Sequence, residues 1–351
     1  MMCGLTKKLN KLFNCNWQLI LCCIATTIVP TVSKAEILVR VVDVGPGLCV
    51  IASDKKNNKY FLYDAGHLNN RYCAEAVRDS VGNNDISLVV ISHPDSDHLG
   101  NLKEILSRNT ADIIVHTGYE RTRVKTWREA NHAISEASKE GSSVINLSSF
   151  QLSSVPTQHL GDMSVEFLYG MGDWDSELGS LSENHRRNAI SIVVKLSAYG
   201  KSILFSGDTV GRHDGDPDDK CAYAERDITS KTDYNLRSDI LIAPHHGADN
   251  GSSKCFISKV KPEVVIFSSG HRYQHPRLAT VDRIKAAIPI ENHNIYRTDR
   301  GDDEGSNEWD YLRIEGCKDT TGDDDVIIAL SETEGSSVSY LDSDNICSEY
   351  F

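Results

Sequence analysis

The sequence predicts an α/β fold in which two β-sheets pack together with helices outside, an αββα order. Three observations predict it: hairpin-like strands come first, strands then alternate with helices, and a second set of the same kind follows. The first strands are Ile37–Val44, Val50–Ser53 and Tyr60–Tyr63, separated by turn signals at Gly45-Pro46-Gly47 and Lys55-Lys56-Asn57-Asn58. Later strands are expected at Ile86–Ile91, Asp112–His116, Val165–Tyr169, Ile190–Leu196, Ser202–Phe205, Asp239–Ile242 and Val264–Phe267. Helical spacing fits Arg71–Ser80, Leu99–Ser107, Lys125–Lys139, Ser252–Val260 and Ala279–Ala287. Residues 170–187 and 214–219 read as loops or insertions, and no short-period repeat is present.

Before the first strand, residues 1–35 carry Lys7, Lys8 and Lys11, then an apolar run from Trp17 to Val29, then Ser33-Lys34-Ala35. The pattern is that of a secretory signal peptide cut after Ala35, and the run is shorter than the ~20 residues a spanning helix needs. A periplasmic or secreted protein follows, without stable membrane association once the signal is removed. Of ten Cys, six lie beyond residue 35 (Cys49, Cys73, Cys221, Cys255, Cys317, Cys347), enough for three disulfides in an oxidising compartment. Six cysteines allow fifteen connectivities, and Cys317 with Cys347 is the first pairing to expect.

Composition excludes several classes. Apolar residues are 40% and charged residues 25% of 351, which rules out a disordered chain, a collagen-like chain and a multi-span membrane protein. The net charge of −13 excludes a protein that coats nucleic acid by bulk charge. That charge is uneven: residues 299–351 hold 16 acidic and three basic residues, which leaves only −4 on residues 36–298. The acidic segment also contains strand-like stretches at Glu308–Glu315 and Val326–Leu330, and reads as a small C-terminal β appendage with solvated loops. The organisation is a signal over 1–35, a main α/β domain over 36–298 and an acidic extension over 299–351.

The chemistry concentrates where strands end. After Ile86–Ile91 comes Ser92-His93-Pro94-Asp95-Ser96-Asp97-His98, four potential ligands in six residues. Unpaired, they would each cost several kcal/mol in a core. Mixed nitrogen and oxygen donors on one strand-to-helix loop suit two divalent cations such as Zn²⁺ or Mn²⁺. Two more sets follow: Ser202–Phe205 runs into Ser206-Gly207-Asp208, and Asp239–Ile242 runs through Ala243-Pro244 into His245-His246-Gly247. Gly-Asp after a strand is weak alone and usually means a turn. Together the three sets describe a metal centre.

These residues resemble the metallo-β-lactamase fold superfamily over nearly all of 36–298. Leu62-Tyr63-Asp64-Ala65-Gly66 stands for its first Asp motif, His93 to His98 for its HxHxDH motif, Asp208 for its bridging Asp, and His245 or His246 for its last His. Asp95 replaces the second His. That HxDxDH form is similar to the nuclease-like domain of the ComEC family of DNA-uptake proteins, as are Val42 to Gly47, Asn188 to Ser191, and Tyr273-Gln274-His275-Pro276. Pro46 and Leu48 depart from that family's Gln and Asp, and with no channel segment ahead of the domain the chain is not expected to form an uptake pore.

The resemblance implies a four-layer sandwich of two mixed sheets. It also implies that His93, Asp95 and a third group hold one cation, that Asp97, His98 and a second His (His245 or His246) hold the other, and that Asp208 bridges them. Asn188 occupies the matching position for the third group, with His185 as the alternative. Asp64 is expected to orient loop backbone or a ligand. The expected activity is that of an exported metal-dependent hydrolase, phosphodiesterase- or nuclease-like, with hydroxide as nucleophile and Asp97 or Asp208 handling its proton. His275, His271 or His246 would donate to a non-bridging oxygen. Tyr273, Arg272 and Arg277 could pack or meet substrate. The clusters Arg121, Arg123, Lys125, Arg128 and Glu183 to Arg187, with Trp127, could line a phosphate groove or form a solvated face. The alternatives are a metallo-hydrolase of a lactone, thioester or β-lactam, and a binding module without activity.

Overall fold

The computed structural model describes residues 36–171, 181–231, 235–300, 308–309, 311, 322 and 324–342. The signal segment, the Cys317–Cys347 pairing, the acidic run at 302–304, Asp323, most of the strand expected at 308–315 and the His271 side chain lie outside that description.

Along the chain the strands and helices are β1 (Ile37–Val41), β2 (Val50–Asp54), β3 (Lys59–Tyr63), α1 (Tyr72–Val81), β4 (Ile86–Ile91), α2 (Leu102–Leu106), β5 (Ala111–His116), α3 (Lys125–Lys139) and β6 (Ser143–Asn146). The second half contains β7 (Gln158–Leu160), β8 (Met163–Tyr169), α4 (Glu183–Ala189), β9 (Val193–Ala198), β10 (Lys201–Phe205), α5 (Tyr223–Ser230), β11 (Ile240–Ile242), α6 (Lys254–Val260), β12 (Val264–Phe267), α7 (Leu278–Ala287) and β13 (Ile295–Arg297). β14 (Val326–Ser331) and β15 (Gly335–Tyr340) form a closing hairpin.

Two sheets result, in the orders β15-β14-β1-β2-β3-β4-β5-β6 and β13-β12-β11-β10-β9-β8-β7. Both are mixed. β1 to β3 are antiparallel and β3 to β6 parallel, while β7 to β10 are antiparallel and β10 to β13 parallel. β4 shows why its run is apolar throughout. Leu88 and Val90 enter the core between the sheets, where Phe61 meets Phe205 edge-on at 5.7 Å, while Val89 and Ile91 pack under α1, α2 and α3. On the second sheet Phe205 faces the partner sheet, and Leu204 lies under α6 and α7. A strand covered on both faces has no polar side to show, and the four-layer order follows.

The strand expected over Val326–Leu330 is present as β14, but it does not stand apart as an appendage: β14 pairs antiparallel with β1, so the β14–β15 hairpin extends the first sheet. The loop expected over 170–187 ends in α4, capped by Ser182, whose hydroxyl accepts from the His185 amide at 3.3 Å. The strand expected from Ile190 begins at Val193, because α4 closes at Ala189. Two disulfides, Cys49–Cys73 and Cys221–Cys255, tie the start of β2 to α1 and the segment before α5 to α6. No helix among the described residues is long and apolar enough to cross a membrane.

His116 ends β5, its Nδ1 accepting from the Gly118 amide at 3.2 Å. Burial pushes its imidazole from 6.5 down to about 4. As pH falls, the unfolded chain therefore takes up this proton first, and the stability present above pH 6.5 is lost toward pH 4. With the ring only partly covered, that loss amounts to about 2 kcal/mol. His116→Gln should flatten this part of the stability–pH curve in urea titrations at stepped pH, and an unchanged slope would reject the assignment.

Candidate metal centre

Four strands deliver the site from their carboxyl ends, where parallel sheets place ligands. β3 runs into Asp64, β4 into Ser92 and His93, β10 into Asp208, and β11 into His245 and His246. The positions of the last two are demanding, since both histidines hold left-handed backbone (φ 52° and 56°) at a cost of order 1–2 kcal/mol each. Gly207 is required by close approach: at its φ of 51° a Cβ would sit 2.9 Å from the Cβ atoms of Ser92 and Ser191.

Asp208 is the hub. Its side chain is 5% exposed, and its oxygens lie 3.2 Å from His98 Nε2, 3.5 Å from His246 Nε2, 3.6 Å from His93 Nε2 and 3.7 Å from His245 Nε2. Burial alone would raise this carboxyl, but His98, His246, His245 and His93 outweigh it and hold Asp208 well below the usual carboxylate range.

Each imidazole is oriented from behind, which leaves Nε2 aimed at the centre. His98 Nδ1 meets Asp64 Oδ2 at 2.8 Å, and that carboxylate also accepts from the Ser92 amide and hydroxyl, each at 2.7 Å. His93 Nδ1 faces the Ser92 and Ser191 hydroxyls at 3.1 and 3.3 Å. His246 Nδ1 meets the Ser268 carbonyl at 2.8 Å and His245 Nδ1 the Asn250 side-chain oxygen at 2.7 Å. Burial would lower His98, but Asp208 and Asp64 raise it well above 6.5. Burial, with His98 adding, lowers His93, and burial lowers His246 in spite of Asp208.

The donors fit divalent cations. His93 Nε2, Asp208 Oδ1 and Asn188 Oδ1 are buried without a hydrogen-bond partner, a cost of about 1–3 kcal/mol each unless something fills the space between them. Two groups of donors converge, His93 with His98 and Asp208, and Asp97 with His98 and His246, each with all ligand atoms within 4.8 Å of one another. His245 joins through Asp208 and through Asn188, whose Nδ2 lies 3.0 Å from His245 Nε2.

Asp95 belongs to neither group. It pairs with Arg187 and Arg121 instead, and although burial opposes it, His93 and these two arginines lower its carboxyl. His185 lines the same cleft with its ring 5.8 Å from that of His213.

The centre opens into a cleft of about 500 Å³ lined also by Asn184, Arg187, Asp249, Tyr273, His275 and Arg277. His275 lies over the imidazoles, its ring 6.0 Å from His245 and 6.4 Å from His246. Burial, with His245 and His246 adding, pushes it to about 2, so it is neutral at working pH. Tyr273 is 54% exposed with the Arg272 guanidinium 5.4 Å from its ring centre. Arg277 is held by Glu308 at 2.9 Å. Trp127 donates to the Tyr119 carbonyl at 3.1 Å and packs against the core under α3.

The supports Ser92, Ser191, Ser268 and Asn250 were not singled out as site residues in the sequence. Ser191 closes the Asn188–Ser191 motif and Ser92 follows the strand, so adjacency was the available signal. Ser268 and Asn250 had none.

Residues 42–174 match the family model of the Metallo-beta-lactamase superfamily. The chain is 26% identical over 258 residues to "Competence protein ComA" of Neisseria gonorrhoeae, a match that covers 73% of this chain and 30% of that protein. Similar solved structures include the metallo-beta-lactamase fold protein YhfI of Bacillus subtilis (TM-score 0.45, 11% identity, 75% of this chain and 97% of that one). Zn²⁺-bound PqqB of Methylobacterium extorquens is another (TM-score 0.42, 9% identity, 73% and 97%).

Proposed function

The chain carries a metallo-β-lactamase superfamily domain, the fold of a group of metal-dependent hydrolases, and from that premise we propose that it is an exported phosphodiesterase with nucleic acid as its first substrate to test. The observation that carries the reading is the convergence of four Nε2 atoms on one buried carboxylate, with His93 Nε2 and Asp208 Oδ1 left unpartnered. Its donors would be His93, Asn188, His245 and Asp208 on one side and Asp97, His98, His246 and Asp208 on the other.

Divalent cations held there would make water a stronger nucleophile at neutral pH and would offset negative charge developing on the reacting group. The chain supplies the rest. Asp97, 29% exposed and 3.8 Å from His246 Nε2, accepts the attacking water's proton at its carboxylate. Asp208, kept anionic by its four imidazoles, fixes the charge between the two donor sets. Neutral His275 donates its ring N–H to a non-bridging oxygen, where transition-state charge develops, without adding a full positive charge to the cleft.

The kinship with a competence protein and the ComEC-like motifs support a nucleic-acid phosphodiester over other esters. The test is a panel of single-stranded DNA, duplex DNA, RNA, cyclic nucleotides, lactones and cephalosporins, offered to protein loaded with Mn²⁺ or Zn²⁺. Phosphodiester turnover lost on chelation is the expected result, and turnover confined to a lactone or cephalosporin would overturn it.

A further inference from the structure

Asp95 stands where the resemblance seats a metal ligand, yet its carboxylate is already engaged. Arg187 Nε donates to Oδ1 at 2.6 Å and Nη2 to Oδ2 at 3.3 Å, while Arg121 Nη1 donates to Oδ1 at 2.8 Å. Arg187 is 4% exposed. Besides Asp95, its guanidinium meets only residues of its own helix among the described residues, Asn184 at 2.9 Å and Glu183 at 3.5 Å. A buried guanidinium needs its counter-ion. A carboxylate shared by two arginines offers a divalent cation a site that is positive overall, so ligation by Asp95 would strand Arg187 and set like charges side by side.

The same pair has a second effect. Asp95 sits two residues after His93 on the loop that follows β4, and Arg187 immediately precedes Asn188 on α4. The fork between them fastens the loop to the helix, and it does so beside the unpartnered Asn188 Oδ1. We propose that Asp95 is a positioning residue and not a metal ligand: through Arg187 and Arg121 it locks α4 against the His93 loop, which leaves His93, His245, Asp208 and Asn188 to hold the first cation. This rests on the metal-dependent reading of the site. One consequence is a centre richer in nitrogen than the sequence motif implies, with two imidazoles for each cation.

Metal content separates the two roles without any activity assay. The full-length protein and its Asp95→Asn, Arg187→Gln and Asp95→Asn/Arg187→Gln variants are loaded with Mn²⁺ or Zn²⁺, freed of excess metal, and measured for bound equivalents and affinity. Circular dichroism checks that each variant is folded. The double variant matters most, because it removes both charges together and leaves neither stranded. A clamp predicts two equivalents in all four proteins, and a loss of affinity of up to about tenfold that is no larger in the double variant than in either single one. The visible spectrum of the cobalt-loaded protein should also keep its bands in Asp95→Asn. One equivalent in both Asp95→Asn and the double variant, with two in Arg187→Gln, would overturn the clamp and leave the metal centre standing. Wild-type protein that binds no metal would overturn both.

Discussion

Asp208→Asn should lower the proposed phosphodiester turnover by at least about a thousandfold, equivalent to ~4 kcal/mol of transition-state stabilisation, while the protein remains folded. The loss is large because one carboxylate serves both donor sets, with His98 and His246 near Oδ1 and His93 and His245 near Oδ2. An amide of the same shape keeps one oxygen, loses the charge, and turns an N–H₂ toward imidazole nitrogens that are oriented to receive a cation. The core is unaffected, since the Ser191 hydroxyl that accepts from the residue 208 amide at 3.0 Å binds backbone. Steady-state rates and bound metal, measured on the same preparation, check this. A variant that retains more than a tenth of the wild-type rate would refute the bridging role.

The parts of the site that the sequence disclosed are those in which neighbours along the chain do the chemistry. His93 to His98, Asp208 and His245-His246 each follow an apolar strand within a few residues, so strand end and ligand arrive together. β4 was legible to the residue because both its faces are buried, which leaves an uninterrupted apolar run. Short edge strands were not: β7 and β13 have three residues each, too few for a period to register. α4 escaped because Glu-Asn-His-Arg-Arg-Asn-Ala has no apolar stripe.

Partnerships across long distances in sequence were equally hidden. Asp95 finds Arg121 and Arg187 26 and 92 residues away, and nothing in its own motif marks it as an ion pair. The disulfides Cys49–Cys73 and Cys221–Cys255 are spaced 24 and 34 residues apart, and only the fold chooses them from the possible pairings.

The joining of the acidic tail to β1 was the least visible of these connections, and it carries the second large effect. Asp43 is fully buried and 279 residues from Gly322, whose amide donates to its Oδ2 at 2.6 Å, and the Gly45 amide donates to Oδ1 at 3.1 Å. The Asp43 amide donates in turn to Asp325 Oδ1 at 2.6 Å, and Arg40 pairs with Asp325. Arg300 holds Asp324 through its backbone amide and its Nε, each at 2.7 Å. Burial pushes the Asp43 carboxyl well above its ordinary range, with Asp324 and Asp325 adding to the rise against the two glycine amides. The cost of that burial is real. Removing the side chain costs more, because the buried Gly45 amide and the half-buried Gly322 amide then lose their acceptor at about 1–3 kcal/mol each.

Asp43→Ala should therefore lose about 3 kcal/mol of stability in urea denaturation. The loss reaches the metal centre by a short route. Leu48 donates its amide to the Asp97 carbonyl at 3.1 Å, and the Ser268 hydroxyl donates to the Gly47 carbonyl at 2.7 Å while its own carbonyl orients His246. Gly47 leaves no slack, since a Cβ there would stand 2.7 Å from the Asp97 carbonyl oxygen. A loosened 43–48 loop thus displaces Asp97 and His246 together, and the affinity for a divalent cation at the proposed Asp97–His98–His246 site should fall about tenfold in calorimetric titration. Asp43→Ala with stability within 1 kcal/mol of wild type would show that the tail is held by its sheet pairing to β1 alone.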